Sequence, residues 1–281
     1  MEQRPIETPQ ASEIPQPLLE RSWRAVGAVV RGVAHERLAL PCQDVQGWQI
    51  LPSGILLAVV ADGAGTARFS DQGARAAVGE TLRFLAAALE DSLPDGGKAW
   101  EDLLADAFCA AQQVVLDLAD TEGEKAREYA CTLAAVAATP EGLVAGQIGD
   151  GAVVCQEENG TLFAATRLQR GEYANETHFL VQEDALAQAS IEFFDRPLNA
   201  LAVMSDGLIR LALKMPSQEP HSPFFQPLFR FAASGAGDPG AETQLALFLG
   251  SARVNERTDD DKALVLAVLT AGDSSSGVSG G

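Results

Sequence analysis

Short apolar runs closed off by turn residues recur along the chain, at 23–33, 55–61, 130–138, 142–149, 152–157, 160–165, 190–194, 199–205 and 263–269. Each has the length and the boundaries of a buried strand. Several are separated by only a few residues, which suits hairpins and antiparallel sheets. Two longer segments have a helical period instead. In SDQGARAAVGETLRFLAAALED, residues 70–91, Ser70 or Asp71 can cap the first turn. In AWEDLLADAFCAAQQVVLDLAD, residues 99–120, apolar side chains return every three or four positions. A helix pair inserted early among many antiparallel strands predicts an α+β fold. Two sheets packed face to face, with helices outside, would bury strands that are apolar on both sides.

The ends break this pattern. Residues 1–20 are polar and spaced by prolines, and 272–281 are Ser/Gly-rich, so both are expected to be disordered tails. Between them 166–188 and 214–240 are rich in polar, Gly or Pro residues, yet neither is long enough to link two domains. One domain over 21–271 is expected. With 47% hydrophobic residues among 281, the chain can bury a substantial core. Its formal charge of −19, from 39 acids against 20 Lys and Arg, repels nucleic acid and anionic membrane surfaces. No apolar run approaches the length that spans a bilayer, and the opening residues lack a signal-peptide pattern, so a cytoplasmic protein is expected. Cys42, Cys109, Cys131 and Cys155 show no Cys-x-x-Cys spacing and read as small core residues in a reducing compartment.

Three of the apolar runs end alike. LLAVVADGAG (56–65), LVAGQIGDGA (143–152) and ALAVMSDGLI (200–209) stop on Asp62, Asp150 and Asp206, each followed by glycine. Asp-Gly is a favoured turn pair, in which glycine supplies positive φ and aspartate bonds its own backbone. A carboxylate on the last residue of a buried strand is a different object, because a rigid backbone holds its charge against low-dielectric core, where it needs a partner. Lys and Arg are scarce nearby, so several such acids at one end of a sandwich repel each other unless cations neutralise them. Asp259, Asp260 and Asp261 stand just before the run 263–269, and Asp44 stands ahead of another candidate strand. Hard divalent cations such as Mg²⁺ and Mn²⁺ prefer oxygen ligands, and this supply suits two ions. Two such ions about 4 Å apart bring the pKa of a bridging water near neutrality and offset charge on the phosphoryl group that the water attacks.

In order, GVAHERLALPCQD, AVVADGAG, CTLAAVAA with LVAGQIGDGAVV, LAVMSDGL and DDKALVLAV resemble the successive motifs of the metal-dependent PP2C-like (PPM) serine/threonine protein phosphatases, in a divergent bacterial branch. The resemblance spans nearly all of 23–269. It implies a four-layer α-β-β-α sandwich of two mainly antiparallel sheets with a binuclear Mg²⁺/Mn²⁺ site at one end. It also implies hydrolysis of protein phosphoserine and phosphothreonine by a metal-bridging water, and a cognate serine/threonine kinase as a partner. By position, Asp62 matches the family's metal-bridging aspartate and Gly63 the glycine whose carbonyl binds the second ion. Asp206 matches the aspartate on the first metal, and Asp260, or its neighbour Asp261, completes that ion's ligands. Asp150 matches the aspartate that, with Asp206, holds a weaker third ion in many members. Asp62, Asp206 and Asp260 thereby carry the catalysis.

Departures from the family pattern qualify this. Gln43-Asp44 falls where the family has Glu-Asp, so the second metal is left to Asp44, to water contacts or to looser binding. Ala64 stands where some members carry a histidine that protonates the leaving group, and Ala263 replaces the usual threonine. His35 and Arg37 precede Gln43 on a loop, and Arg37 is the candidate for a bidentate phosphate clamp. Residues 166–188 fall where the family has a flap, and Arg167 and Arg170 read there as loop charge. His178 and His221 read as surface or structural residues.

Other chemistries fit less well. VVADGAGTAR has a strand, glycines and a helix, but Arg68 stands where a dinucleotide fingerprint needs its third glycine, and no Gly-Lys-Ser/Thr completes a P-loop. No Gly-x-Ser-x-Gly elbow is present. The rival from another class is a catalytically weak or inactive module on the same fold that binds a phosphoprotein or a metal as a regulator, with Gln43 and Ala263 as signs of a lapsed site.

Overall fold

Four layers stack in this protein, helices outside two facing sheets, in a computed structural model that describes residues 21–90, 92–168 and 177–271. The first half runs β1 (Arg21–Val30), α1 (Val33–Leu38), β2 (Val45–Ile50), β3 (Leu56–Ala61), α2 (Ser70–Ala88), α3 (Gly97–Thr121), β4 (Leu133–Ala138), β5 (Leu143–Ile148), β6 (Ala152–Glu157) and β7 (Leu162–Ala164). The second runs α4 (Ala185–Gln188), β8 (Ser190–Phe194), β9 (Leu198–Met204), α5 (Ile209–Ala212), β10 (Leu213–Lys214), β11 (Glu219–Pro220), α6 (Ser222–Gly235), α7 (Ala241–Leu249), α8 (Ala252–Asn255) and β12 (Lys262–Ala271). One five-stranded sheet has the order β1-β12-β9-β6-β7, the other β2-β3-β4-β5-β8, and β10 and β11 form a separate two-stranded ribbon. Every pairing is antiparallel. The α+β sandwich expected from the sequence is the observed architecture.

The period-2 alternation of strands explains why the apolar runs are continuous. On β3, Leu57, Val59 and Ala61 pack toward α2 and α3, against Ala74, Ala77, Leu104 and Phe108. The intervening Leu56, Ala58 and Val60 point into the layer between the sheets, where they meet Val203, Val265 and Ala267. Both faces are therefore dry, and Leu56 and Leu57 are wholly buried, each contributing about 1.5–3 kcal/mol of transfer free energy. The outer face of the other sheet is covered by α6 and α7 through Phe225, Phe229, Ala232, Leu245 and Leu249.

Register brings the acidic strand ends together. Val45 pairs with Ala61, so Asp44 and Asp62 are neighbours at one end of the second sheet. Leu133 pairs with Ile148, which sets Thr132 and Asp150 at that same end. In the first sheet Met204 pairs with both Leu264 and Ala152, placing Asp206 beside 260–263 and beside Asp150.

Some elements differ from the sequence expectation. Helix α6 lies within 214–240, the stretch rich in polar, Gly or Pro residues, and α7 follows directly after it; neither was among the expected helices. Pro223 sits in the first turn of α6, where its missing N–H costs nothing, and Pro227 lies on the exposed side of that helix. The apolar stripe Phe224, Phe225, Leu228, Phe229 and Ala232 overrides the prolines. At the start of α2 Phe69 occupies the cap position with no side-chain cap, and Ser70 Oγ instead donates to the Ala67 carbonyl at 3.4 Å. Of the cysteines, all free, Cys131 and Cys155 are buried, but Cys109 is exposed on α3. The expected tails, 1–20 and 272–281, lie outside the described residues, as does Arg170.

Candidate metal centre

Asp62, Asp150 and Asp206 each present an oxygen such that all three lie within 4.8 Å of one another. Among the described residues no other three acids, histidines or cysteines come so close. They arrive from the ends of β3, β5 and β9, that is, from both sheets. The backbone of Asp62 is clamped to Thr132, its N–H donating to Thr132 Oγ1 at 3.0 Å while its carbonyl accepts from the Thr132 N–H at 2.8 Å. Asp150 Oδ2 accepts from Thr177 Oγ1 at 2.8 Å.

None of the three glycines that follow these acids has positive φ. The turn explanation of the Asp-Gly pairs therefore does not hold, and close approach replaces it at two of them. A Cβ on Gly207 would lie 2.0 Å from the Asp261 carbonyl oxygen, and one on Gly63 would lie 2.8 Å from Ser70 Cβ.

Around this trio the remaining acids divide their tasks. Asp44 is buried and accepts a hydrogen bond from Ser205 Oγ at 2.6 Å. Asp261 is also buried, and its carboxylate takes the N–H groups of Gly32 and Gln43, each at 2.6 Å, and His35 Nδ1 at 2.8 Å. It ties α1 and the Gln43-Asp44 segment to the start of β12. Asp260 is exposed, outside the close trio, but near enough that its charge raises the pKa of Asp44, Asp150 and Asp206. Gly63 donates its N–H to the Gln43 carbonyl at 3.2 Å. Arg37 is exposed on α1, and Arg167 is exposed with its carbonyl accepting from Gln147 Nε2 at 2.6 Å. His178 is half-buried, and His221 caps α6.

Three contributors were not singled out from the sequence: Thr132, Ser205 and Lys262. The first two stand inside the quoted CTLAAVAA and LAVMSDGL motifs, but nothing in those strings says which oxygen their hydroxyls reach. Lys262 is wholly buried, with Nζ donating to Asn255 Oδ1 at 3.1 Å and to the Asp260 carbonyl at 3.0 Å. It places a lysine, its pKa lowered by burial, beside a cluster near which the sequence showed Lys and Arg to be scarce.

Crowding sets the electrostatics. Burial, followed by the charges of neighbouring acids, pushes Asp206 up to about 7. Asp44 also reaches about 7, burial again dominating over the hydrogen bonds that favour its ionised form. Asp62 and Asp150 are raised too, mainly by burial. Such a cluster holds protons at neutral pH unless a cation takes their place.

The donor set fits a hard divalent cation. The converging ligand atoms are all carboxylate oxygens. The nearby Cys131 thiol is pushed up to about 12 by burial and by Asp62, and it is not among the converging ligand atoms. Asp150 Oδ1 and, at Gln43, Oε1 are buried without a hydrogen-bond partner among the described residues, and each would be satisfied by a cation or its water.

Fold and site together define an α-β-β-α sandwich protein with a carboxylate site able to hold metal ions. The chain belongs to the protein phosphatase 2C family, whose model matches residues 31–250. Membership makes it a protein phosphatase, as its motifs implied. It is similar, at 36% identity over 259 residues, to serine/threonine-protein phosphatase 3 of Escherichia coli (strain K12), covering 88% of this chain and 98% of that one. Among solved structures it shares its fold with PppA, a key regulatory component of T6SS in Pseudomonas aeruginosa, with a TM-score of 0.61 at 20% identity over 89% of this chain and 98% of that one. The serine/threonine phosphatase Stp1 from Staphylococcus aureus is similar in fold as well, with a TM-score of 0.55 at 15% identity over 96% of this chain and all of that one. No helix among the described residues is long and apolar enough to cross a membrane.

Proposed function

We propose that this chain hydrolyses phosphoserine and phosphothreonine in a protein substrate with Mg²⁺ or Mn²⁺, as one phosphatase domain over 21–271. The observation that carries the proposal is the convergence of Asp62, Asp150 and Asp206 from both sheets to within 4.8 Å. Asp62, Asp206 and Asp260 would hold the principal ions with the Gly63 carbonyl and Asp44, and Asp150 would hold a weaker one. When bound, such ions supply positive charge against phosphoryl oxygens and lower the pKa of a water for in-line attack.

The protein's own groups keep that site in shape. Thr132 fixes the Asp62 backbone, Ser205 orients Asp44, and Asp261 fastens the Gln43 segment and His35. Arg37, on the helix that His35 and Asp261 anchor, is assigned to the incoming phosphate, where a guanidinium can bind two oxygens at once. A serine/threonine kinase that makes the substrate is the matching partner. Four free cysteines support a reducing compartment, the cytoplasm.

The test is hydrolysis of a phosphothreonine peptide and of p-nitrophenyl phosphate with Mn²⁺ or Mg²⁺. Turnover is expected in the native chain and is expected to vanish with EDTA and in Asp62→Asn and Asp206→Asn. If calorimetry shows metal binding without turnover, the chain is a binding module and the proposal fails.

A further inference from the structure

A groove of about 700 Å³ lies between α5, α6, α7 and α8, and none of the candidate metal ligands lines it. Its floor is apolar, built from Phe224, Leu228, Phe231 and Leu245, with Phe248 partly exposed beside them. Its rim carries Arg210, Arg253 and Arg257. The last two stand at i and i+4 on α8 and the turn that follows, so they project on one side.

Charge makes this arrangement unusual for the chain. The protein has a formal charge of −19 and only 20 Lys and Arg, yet three of those cations border one apolar recess, with Glu256 as the sole acid among the described residues that line it. All three arginines are exposed, and among the described residues none of them is in an ion pair. An arginine fork without a carboxylate partner is matched by an anion. A floor of phenylalanine and leucine is matched by an aryl or alkyl body, and the volume is that of a small-molecule site.

We propose that this groove binds a small amphipathic organic anion, its apolar body on the phenylalanine floor and its acidic head between Arg210, Arg253 and Arg257. The site is independent of the phosphatase reading, because its lining and the metal centre share no residue.

The full chain is titrated with 8-anilino-1-naphthalenesulfonate, following fluorescence, and in parallel with N-phenyl-1-naphthylamine, which has the same rings without the sulfonate. Saturable one-to-one binding of the sulfonate is expected, at least tenfold tighter than that of the neutral amine. The triple variant Arg210→Ala, Arg253→Ala, Arg257→Ala is expected to weaken the sulfonate at least tenfold while leaving the amine and the melting temperature unchanged. Dodecanoate should displace the sulfonate from the native chain. Equal binding of the two probes, indifference to the triple variant, or displacement only by an acidic peptide and not by dodecanoate would overturn the proposal.

Discussion

Ser205 Oγ donates a hydrogen bond to Asp44 Oδ2 at 2.6 Å and accepts one from the Ala263 N–H at 2.9 Å, so one hydroxyl joins β9, β12 and the segment before β2. All three groups are buried. Ser205→Ala removes an acceptor from a buried N–H and a donor from a buried carboxylate. A loss of about 1–3 kcal/mol is expected, read as a lower urea midpoint at unchanged slope. A loss under about 0.5 kcal/mol would show that the hydroxyl is not needed there.

Asp260 and Asp261 are adjacent, yet opposite effects are expected of them. Asp261 receives three donors in the core, so Asp261→Asn should destabilise the metal-free chain by about 2–3 kcal/mol. Asp260 is exposed, and Asp260→Asn should change stability by less than about 0.5 kcal/mol while weakening metal binding. Denaturation in EDTA and metal titration of both variants separate the two roles. Reversal of the pattern would place the ligand at 261.

In EDTA, stability should fall as pH rises. Asp44 and Asp206 titrate near 7 in the folded chain against an ordinary value of 3.8, so between about pH 4 and 7 the folded state binds protons that the unfolded state has released. Their stabilising contribution is present below 4 and lost through 7. The melting temperature is expected to be lower at pH 7.5 than at pH 5. Asp206→Asn should raise it at pH 7.5 and abolish most of the rise produced by Mn²⁺. A metal-free melting temperature that increases over this range contradicts the crowding argument.

Backbone crowding predicts a ranking of two alanine substitutions. Gly63→Ala brings a methyl to 2.8–2.9 Å from Ser70 atoms at the start of α2 and should cost about 1–3 kcal/mol. Gly207→Ala meets a backbone oxygen at 2.0 Å and should cost more, with loss of metal binding as the Asp206 and Asp261 loops part. Thermal melts and metal titration of the two proteins test the order.

Much of the fold was legible because burial leaves a period in the chain. The runs at 55–61 and 142–149 are β3 and β5 to within a residue or two, and residues 70–91 and 99–120 are α2 and α3. β2 was only hinted at, since VQGWQI lies at a sheet edge, is largely half-exposed and carries no continuous apolar signal. α6 was hidden by two prolines and a glycine-rich surround, although its Phe/Leu stripe was present. His35 shows the limit at the site. A histidine near a motif suggests phosphate, and only the folded chain reveals that Asp261 holds its ring.

What the chain determined unaided was where strands stop and that acids stand at those stops, because termination and apolar period are properties of neighbouring residues. Tertiary structure decided which oxygens meet. That Asp150 joins Asp62 and Asp206, that Asp261 turns inward while Asp260 stays out, and that three arginines gather around one apolar recess all depend on register and packing between segments far apart in sequence. No local pattern encodes those distances.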